Sequence, residues 1–240
     1  VAMGASASAM QCPADYDGDG KSDPAVYDPA SGLLLIRLSS QGYGLAAMPI
    51  GDATCVPAVG DYDGDGKADP ALYSAVNGRF GVWLSSAGYA SAFIPLGGHD
   101  WVNVSADYDG DGKSDSAVYH ALNGEWLVLL SSQAYASARM TLGGGSGLIC
   151  ASGDYDGDGK SDPTLFQPAG GLWFCALSTI GYARHTFATP VAPHVLPAQS
   201  GDYDNDGKDD PALYDSAANV FYVWLSGSNY RPESLRFGNP

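Results

Sequence analysis

The chain has 240 residues, of which 45% are apolar, and a formal net charge of -16 with a pI near 4.2. This length and apolar content are enough for one globular domain with a buried core. The negative net charge and the presence of only six arginines disfavour nucleic acid as a partner. No membrane span or signal segment is recognisable in the sequence. This predicts a mature secreted form or an excised domain, without membrane insertion.

The first distinctive element is the run DYDGDGKSD at residues 15–23. It recurs at 61–69, 107–115 and 154–162, and as DYDNDGKDD at 202–210, so successive copies start 46, 46, 47 and 48 residues apart. A period of this size is typical of propellers and solenoids. The sequence therefore predicts a single domain over residues 1–240, with repeats at approximately 10–52, 53–98, 99–144, 145–192 and 193–240.

The acidic residues are concentrated in these loops, which contain 20 of the 27 carboxylates at the same offsets in every copy. Calcium binds six to eight oxygens, and a D-x-D-x-D-G loop can supply them from positions 1, 3 and 5 and from the carbonyl at position 7. An aspartate at position 9 would complete the coordination shell of the ion. Position 12, the closing glutamate of an EF-hand, is apolar in all five copies, which excludes that motif.

One calcium ion per repeat is therefore predicted, and magnesium fits less well because it demands octahedral geometry and keeps its waters. Ion binding should be coupled to folding, since the clustered carboxylates repel one another without it. The lysine side chains are expected to point outward while their carbonyls bind metal. The predicted ligands are the carboxylates of Asp15, Asp17, Asp19, Asp23, Asp61, Asp63, Asp65, Asp69, Asp107, Asp109, Asp111, Asp115, Asp154, Asp156, Asp158, Asp162, Asp202, Asp204, Asp206 and Asp210 and the carbonyls of Lys21, Lys67, Lys113, Lys160 and Lys208.

Between the loops the apolar residues alternate with a period of two, which is typical of half-buried strands. The second repeat predicts four strands, over 55–60, 71–74, 79–85 and 91–96. Four strands in about 46 residues make one propeller blade. The predicted fold is an all-β, five-bladed β-propeller with four antiparallel strands per blade, and a parallel β-solenoid is the structural alternative.

The loop D-x-D-G-D-G-x-x-D in a β-rich repeat of this length resembles the FG-GAP or VCBS repeats, found in integrin α-subunit propellers and in many bacterial secreted proteins. The resemblance covers nearly the whole chain and implies that each loop binds calcium between the first and second strands of its blade, with the same aspartates as ligands. Integrins use seven blades and this chain has five repeats, which does not favour integrin-like ligand binding. The sequence leaves two ways of closing the ring. Either each blade is complete in sequence, from about Met10 to Phe237, or residues Val1–Gly4 form an outer strand that pairs with the last blade.

The four cysteines leave two interpretations open. Cys12 and Cys55 precede consecutive loops and can form a disulfide, as can Cys150 and Cys175, or all four are free thiols. Few lysines and calcium loops that fill only where calcium is plentiful predict an extracellular or cell-surface location.

The sequence does not predict an enzyme. Glycosidases need a positioned carboxylate pair, but none of the seven acids outside the loop pattern recurs in all repeats. The four histidines lack zinc spacing, and no nucleophile or phosphate-binding motif is present. The protein is therefore expected to be non-catalytic.

A binding role is favoured instead. Aromatic residues recur beside polar turns or on the outward side of the third strand: Tyr43, Tyr89, Tyr135, Tyr182, Tyr230, Trp83 and Trp224. Such rings can stack on sugar rings. The chain is similar in this respect to the calcium-loop propeller lectins of fungi. They suggest a multivalent carbohydrate-binding module, although the tyrosines can instead pack between blades. The alternative is a structural or adhesion scaffold that binds a protein partner through the non-repeated segments 97–104 or 186–197, with a polysaccharide-active enzyme less favoured.

Overall fold

The computed structural model describes residues 9–189, 195–198 and 200–236. These residues form five four-stranded antiparallel sheets, in which the strands follow chain order from one edge to the other. This confirms the predicted all-β, five-bladed β-propeller. Residues 1–4 and 190–194, on which two of the expectations above depend, lie outside the described ranges.

Each sheet is one blade. Blade 1 contains β1 (Met10–Gln11), β2 (Ala25–Asp28), β3 (Leu33–Leu38) and β4 (Gly44–Pro49). Blade 2 contains β5 (Val56–Pro57), β6 (Ala71–Ser74), β7 (Arg79–Leu84) and β8 (Ala90–Pro95). Blade 3 contains β9 (Trp101–Asn103), β10 (Ser116–His120), β11 (Glu125–Leu130) and β12 (Ala136–Thr141). Blade 4 contains β13 (Ile149–Cys150), β14 (Thr164–Gln167), β15 (Leu172–Leu177) and β16 (Ala183–Ala188). Blade 5 contains β17 (Val195–Pro197), β18 (Ala212–Asp215), β19 (Val220–Leu225) and β20 (Arg231–Arg236).

The strand ends are set by the turn chemistry between them. A short 3-10 turn follows β3, β11, β15 and β19 and ends at a residue in the left-handed conformation, such as Gly42 at φ 63°. The acidic loops lie between the first and second strands of each blade, as predicted. None of the helical segments in the described ranges is long and apolar enough to cross a membrane.

The alternation of side chains gives each blade two faces. In blade 1, face A carries the cross-strand pair Tyr27 and Leu34, and face B carries Val26 and Leu35. The names face A and face B are used below for the equivalent positions of every blade. Large apolar residues on both faces allow a blade to pack on a neighbour at each side.

The contacts separate the chain into two compact units. The first contains residues 1–105, 111–119 and 127–138. Within it, face A of blade 1 forms one core cluster with Leu72 and Trp83 of blade 2, and face A of blade 2 forms another with Val118 and Leu127. Burying such side chains supplies about 1.5–3 kcal/mol each relative to exposure.

The second unit contains residues 106–110, 120–126 and 139–240. Its core cluster joins Phe166 and Trp173 on face A of blade 4 to Leu213 and Trp224 on face B of blade 5. The rule is the same as in the first unit, since face A of one blade covers face B of the next.

Candidate metal centres

Each blade brings three aspartates of its loop together. In every cluster the three side chains offer oxygen atoms that lie within 4.8 Å of one another. The clusters are Asp15, Asp17 and Asp19; Asp61, Asp63 and Asp69; Asp107, Asp109 and Asp115; Asp154, Asp156 and Asp162; and Asp202, Asp204 and Asp206. One acidic cluster per blade is what the sequence predicts.

The aspartate at position 1 is fixed by the amides of its own loop. In the first loop, Asp15 Oδ1 accepts a hydrogen bond from Gly18 N–H at 2.7 Å, and Asp15 Oδ2 accepts one from Gly20 N–H at 2.8 Å. Both glycines have positive φ, 78° and 81°, a conformation that glycine adopts without a Cβ clash. The loop therefore wraps around its first carboxylate.

The aspartates at positions 3 and 5 are held by hydroxyl groups from the end of the third strand. Ser39 Oγ donates to Asp19 Oδ2 at 2.9 Å, and Ser40 donates to Asp17 Oδ2 from its N–H at 3.0 Å and its Oγ at 2.7 Å. We call Ser39, Ser40 and their equivalents the hydroxyl collar.

The hydroxyl collar recurs in other blades. It consists of Ser85 and Ser86 in blade 2, of Ser178 and Thr179 in blade 4, and of Ser226 with the Gly227 amide in blade 5. Sequence reasoning assigned it no role. The signal that could have identified it is the pair of small polar residues that follows the leucine at the end of the third strand.

The aspartate at position 9 is fully buried in all five blades. In blade 1, Asp23 Oδ2 accepts a hydrogen bond from Tyr16 N–H at 2.9 Å, and Oδ1 accepts one from Ser39 N–H at 2.7 Å. Asp162 makes the same pair of bonds with Tyr155 and Ser178. This residue therefore connects the loop to the end of the third strand through hydrogen bonds. In three of the clusters it also lies close enough to the aspartates of positions 1 and 3 to share an ion with them.

The residues present fit a hard divalent cation. The donor atoms are all oxygens, and Asp156 Oδ1 and Asp204 Oδ1 are buried with no hydrogen-bond partner among the described residues. Such orphaned carboxylate oxygens are costly unless a cation satisfies them. A cation would also offset the mutual repulsion of the three carboxylates.

The lysines at position 7 were expected to point outward, but four of the five pack against the loop of the preceding blade. A Cβ built on Gly18 would lie 3.0 Å from Lys67 Cε, and one built on Gly64 would lie 2.8 Å from Lys113 Cε. These lysines, with Lys160 and Lys208, are half-buried along the loop of the preceding blade. Lys21 differs, since it is exposed and forms an ion pair with Asp19 at 3.2 Å.

Burial affects the titration of two position-9 carboxylates, Asp69 and Asp162. It raises the pKa of Asp69, and it raises the pKa of Asp162 to about 6, with the nearby charge of Asp156 adding to the effect. An unfolded aspartate titrates near 3.9.

The metal-free protein should therefore lose stability as the pH rises from about 4 through about 6, because its folded state holds this proton more tightly than the unfolded state does. With saturating calcium the slope should reverse, since protons compete with the ion for the carboxylates. Melting curves of metal-free and calcium-loaded protein at pH 4.5 and pH 7 test both signs. Parallel pH profiles for the two forms would contradict this assignment.

The recurrent tyrosines share an unusual backbone. Tyr43, Tyr89, Tyr135, Tyr182 and Tyr230 have φ between 57° and 63°, and their side chains are 38–56% exposed. A left-handed conformation costs a non-glycine residue roughly 1–2 kcal/mol. Two of the rings pack on the preceding blade: Tyr182 OH donates to the Tyr108 carbonyl at 3.4 Å, and Tyr230 stacks on Phe187 with the ring centroids 5.5 Å apart.

The two tryptophans have different environments. Trp224 is only 5% exposed and packs in the core cluster of blades 4 and 5, so the expectation that it faces outward to a ligand is wrong. Trp83 is half-buried and packs edge-to-face on Phe93 at 5.5 Å. It lines a cavity of about 380 Å³ together with Arg79 and Asp52.

The structure decides between the two interpretations of the cysteines, disulfide bonds or free thiols. All four are free thiols, with Cys12 and Cys175 buried and Cys55 and Cys150 half-buried. Burial raises the pKa of Cys150 and of Cys175 to about 12, so both are protonated at neutral pH and poorly reactive.

Comparison with known proteins identifies the fold. No family model and no curated protein sequence matches the chain. Virginiamycin B lyase from Staphylococcus aureus superposes with a TM-score of 0.65 at 9% identity, over 97% of this chain and 71% of the lyase. A lectin from Agrocybe aegerita, described as recognising non-reducing terminal N-acetylglucosamine, superposes with a TM-score of 0.64 at 16% identity, over 90% of this chain and 63% of the lectin.

The chain is a β-propeller. At these identities the likeness establishes the fold alone, and the two neighbours have different activities. The fold therefore does not decide between catalysis and binding, and function has to be inferred from the residues of this chain.

Proposed function

We propose that the protein is a calcium-stabilised, non-catalytic, extracellular binding module of the FG-GAP or VCBS type, and that its ligand is a carbohydrate. The carboxylate clusters support the calcium part, because one recurs in every blade with the aspartates of positions 1 and 3, and because buried oxygens of Asp156 and Asp204 have no hydrogen-bond partner among the described residues. The carboxylates of each loop and the carbonyl at position 7 would hold the ion, and the hydroxyl collar would orient positions 3 and 5.

The carbohydrate part rests on the groove beside Trp83. Its lining combines two aromatic rings, Trp83 and Phe93, with the guanidinium of Arg79, which lies 3.9 Å from the Phe93 ring centroid. Asp52 and Ser74 add polar groups to the lining. A sugar presents an apolar C–H face and a rim of hydroxyls, so it can stack on the rings while it forms hydrogen bonds with the polar groups.

Glycine at position 81 lets the Phe93 ring lie directly against the backbone of β7, where the ring lines the groove. A Cβ there would lie 2.7 Å from the Phe93 ring. The other blades carry larger side chains at the equivalent face B position, namely Leu35, Leu127, Phe174 and Tyr222. This favours one principal site on blade 2 over the five equivalent sites that the repeats suggest.

The experiment is a glycan-array screen of the calcium-loaded protein, followed by titration of any hit. Arg79→Ala and Gly81→Leu should each weaken binding at least tenfold, because the first removes a charged donor and the second displaces the Phe93 ring that lines the groove. Arg184→Ala is the matched control, since Arg184 makes the same kind of contact with Phe174 in blade 4 at 4.6 Å. We expect this control to bind like the wild type.

Two outcomes would overturn the carbohydrate assignment. One is the absence of any glycan hit for protein that is folded and calcium-loaded. The other is a hit whose affinity is the same in all three variants, which would place the ligand elsewhere. Release of new reducing ends from a bound polysaccharide would contradict the non-catalytic part of the proposal.

A further inference from the structure

One backbone hydrogen bond joins an acidic loop to the loop of the next blade. The N–H at loop position 8 donates to the main-chain carbonyl at position 1 of the preceding loop: Ala68 to Asp15 at 2.7 Å, Ser114 to Asp61 at 2.6 Å, Ser161 to Asp107 at 2.6 Å and Asp209 to Asp154 at 2.6 Å. Two of these bonds lie within the first compact unit and two within the second. The same link between loops therefore recurs four times along the chain.

The lysine side chain at position 7 packs beside this link. A Cβ built on Gly18 would lie 3.0 Å from Lys67 Cε, and one built on Gly157 would lie 3.0 Å from Lys208 Cγ. Both glycines occupy position 4 of the preceding loop and have positive φ, 78° and 81°. Glycine at this position thus leaves room for the lysine stem, and each of these loops rests on the backbone of the loop before it.

The two ends of the link belong to neighbouring ion sites. The position-8 N–H and the position-7 carbonyl are parts of one peptide group, which is planar and trans, so the two bonds point in opposite directions. That carbonyl is one of the ligands assigned to the ion of its own loop. The acceptor at position 1 carries the carboxylate that its own loop wraps, as Asp15 does with the amides of Gly18 and Gly20. A single peptide group therefore connects one ion site to the next.

We propose that neighbouring loops bind calcium cooperatively, because an ion in one loop strengthens the site of the preceding loop through the peptide group of positions 7 and 8. This inference rests on the proposed calcium sites. A cation at the carbonyl oxygen polarises the peptide group, so its N–H becomes a stronger donor, and hydrogen bonds linked in this way reinforce one another. The stronger bond fixes the backbone at position 1, and the preceding loop then loses less conformational freedom when it binds its own ion. The coupling is reciprocal by linkage.

Asp63→Ala tests the link because it removes an ion ligand from loop 2 (residues 61–69) and leaves the bond to loop 1 (residues 15–23) in place. The Asp63 carboxylate accepts hydrogen bonds from the Asp65 N–H and from the N–H and hydroxyl of Ser86, all in its own blade. Charge alone predicts tighter binding by loop 1 in this variant, since loop 2 with three carboxylates and no ion is more negative than loop 2 with four carboxylates and an ion. The proposed link predicts weaker binding, so the two effects have opposite signs.

The measurement is a calcium titration of the full chain followed by ¹H–¹⁵N NMR, at about 0.15 M salt so that charges more than about 8 Å apart are screened. The amide of the position-6 glycine reports on its own site, because it donates to the position-1 carboxylate: Gly20 to Asp15 and Gly159 to Asp154, both at 2.8 Å. In Asp63→Ala the calcium midpoint at Gly20 should rise at least about fivefold, the lower end of typical coupling. Gly159, in loop 4 (residues 154–162), is the control and should keep its wild-type midpoint.

Asp204→Ala is the equivalent variant in the second compact unit. Asp204 belongs to the cluster of loop 5 (residues 202–210), and the Asp209 N–H links this loop to Asp154 of loop 4. The midpoint at Gly159 should rise by a similar factor in this variant. Gly66, in loop 2, should titrate as in the wild type.

Ala68→Pro removes the link itself, because proline has no N–H, and it keeps the Lys67 carbonyl and the Asp69 carboxylate. The midpoint at Gly20 should rise in this variant, and adding Asp63→Ala should raise it no further. Ala68→Ser is the matched control, since it keeps the N–H and serine occupies position 8 in three of the other loops. It should titrate like the wild type. Should Ala68→Pro not fold, the two aspartate variants decide the matter alone.

The outcomes separate this inference from the calcium assignment. A midpoint at Gly20 that is unchanged or lower in Asp63→Ala would overturn the cooperative link and leave the calcium sites in place. Glycine amides that do not respond to calcium in any loop would overturn the calcium assignment, and the link with it.

Discussion

Removing bound calcium should lower the free energy of unfolding by on the order of 10 kcal/mol, since a ligand at 100 times its Kd stabilises the folded state by about 2.7 kcal/mol per site. The physical reason is that each loop holds three carboxylates with oxygens within 4.8 Å of one another, which repel unless a cation lies between them. For a chain of this size, 1 kcal/mol shifts the melting temperature by about 2–4 °C. The melting temperature should therefore fall by tens of degrees, which differential scanning calorimetry of metal-free and calcium-loaded protein measures.

Magnesium and sodium chloride at matched ionic strength are the controls for this experiment. Screening by salt weakens the repulsion between exposed charges but supplies no coordinating ion, so we expect only a small part of the stability to return. Magnesium should restore less stability than calcium at the same concentration, because it keeps its waters and demands octahedral geometry. Equal melting temperatures with and without calcium would contradict the role of the loops.

The second large effect is expected at loop position 9. Asp162→Ala removes the acceptor of two backbone amides, the buried Tyr155 N–H and the partly buried Ser178 N–H, in addition to an ion ligand. An unsatisfied buried donor costs about 1–3 kcal/mol. We expect this variant to melt well below the wild type in the presence of calcium, and below it in the absence of calcium as well.

Asp156→Ala is the matched variant for this prediction. Asp156 belongs to the same cluster, but its Oδ2 accepts only from the Thr179 N–H and hydroxyl at the exposed end of the collar. Its loss should remove the share of calcium-dependent stability that this one site supplies, and it should leave the melting temperature of the metal-free protein nearly unchanged. If both variants lose stability only when calcium is present, position 9 is a ligand without a structural role.

The repeat pattern made most of the fold predictable. The period of the aspartate loops, together with alternating apolar residues, gave the blade, and the predicted strands at 71–74 and 79–85 match β6 and β7 closely. Loop chemistry likewise predicted one acidic cluster per blade. These features are local, because each depends on residues within a few positions of one another along the chain.

The features that the sequence did not reveal depend on contacts between distant positions. Trp224 alternates like an outward residue, yet face B becomes interior once blade 4 covers it. Four of the position-7 lysines each lie along a loop that precedes them by more than 40 residues: Lys67, Lys113, Lys160 and Lys208. The groove beside Trp83 lies in the one blade whose face B has glycine where the other blades carry a larger side chain, and a repeat pattern does not predict a feature that is present in a single blade.

The most direct test of the central claim is a calorimetric calcium titration of chelator-stripped protein, with the bound metal counted by atomic emission after dialysis. Five clusters predict about five calcium ions per chain. They also predict that Asp156→Ala binds one fewer. A chain that retains no calcium, or that binds the same number of ions after Asp156→Ala, would contradict the assignment of the five loops as metal centres.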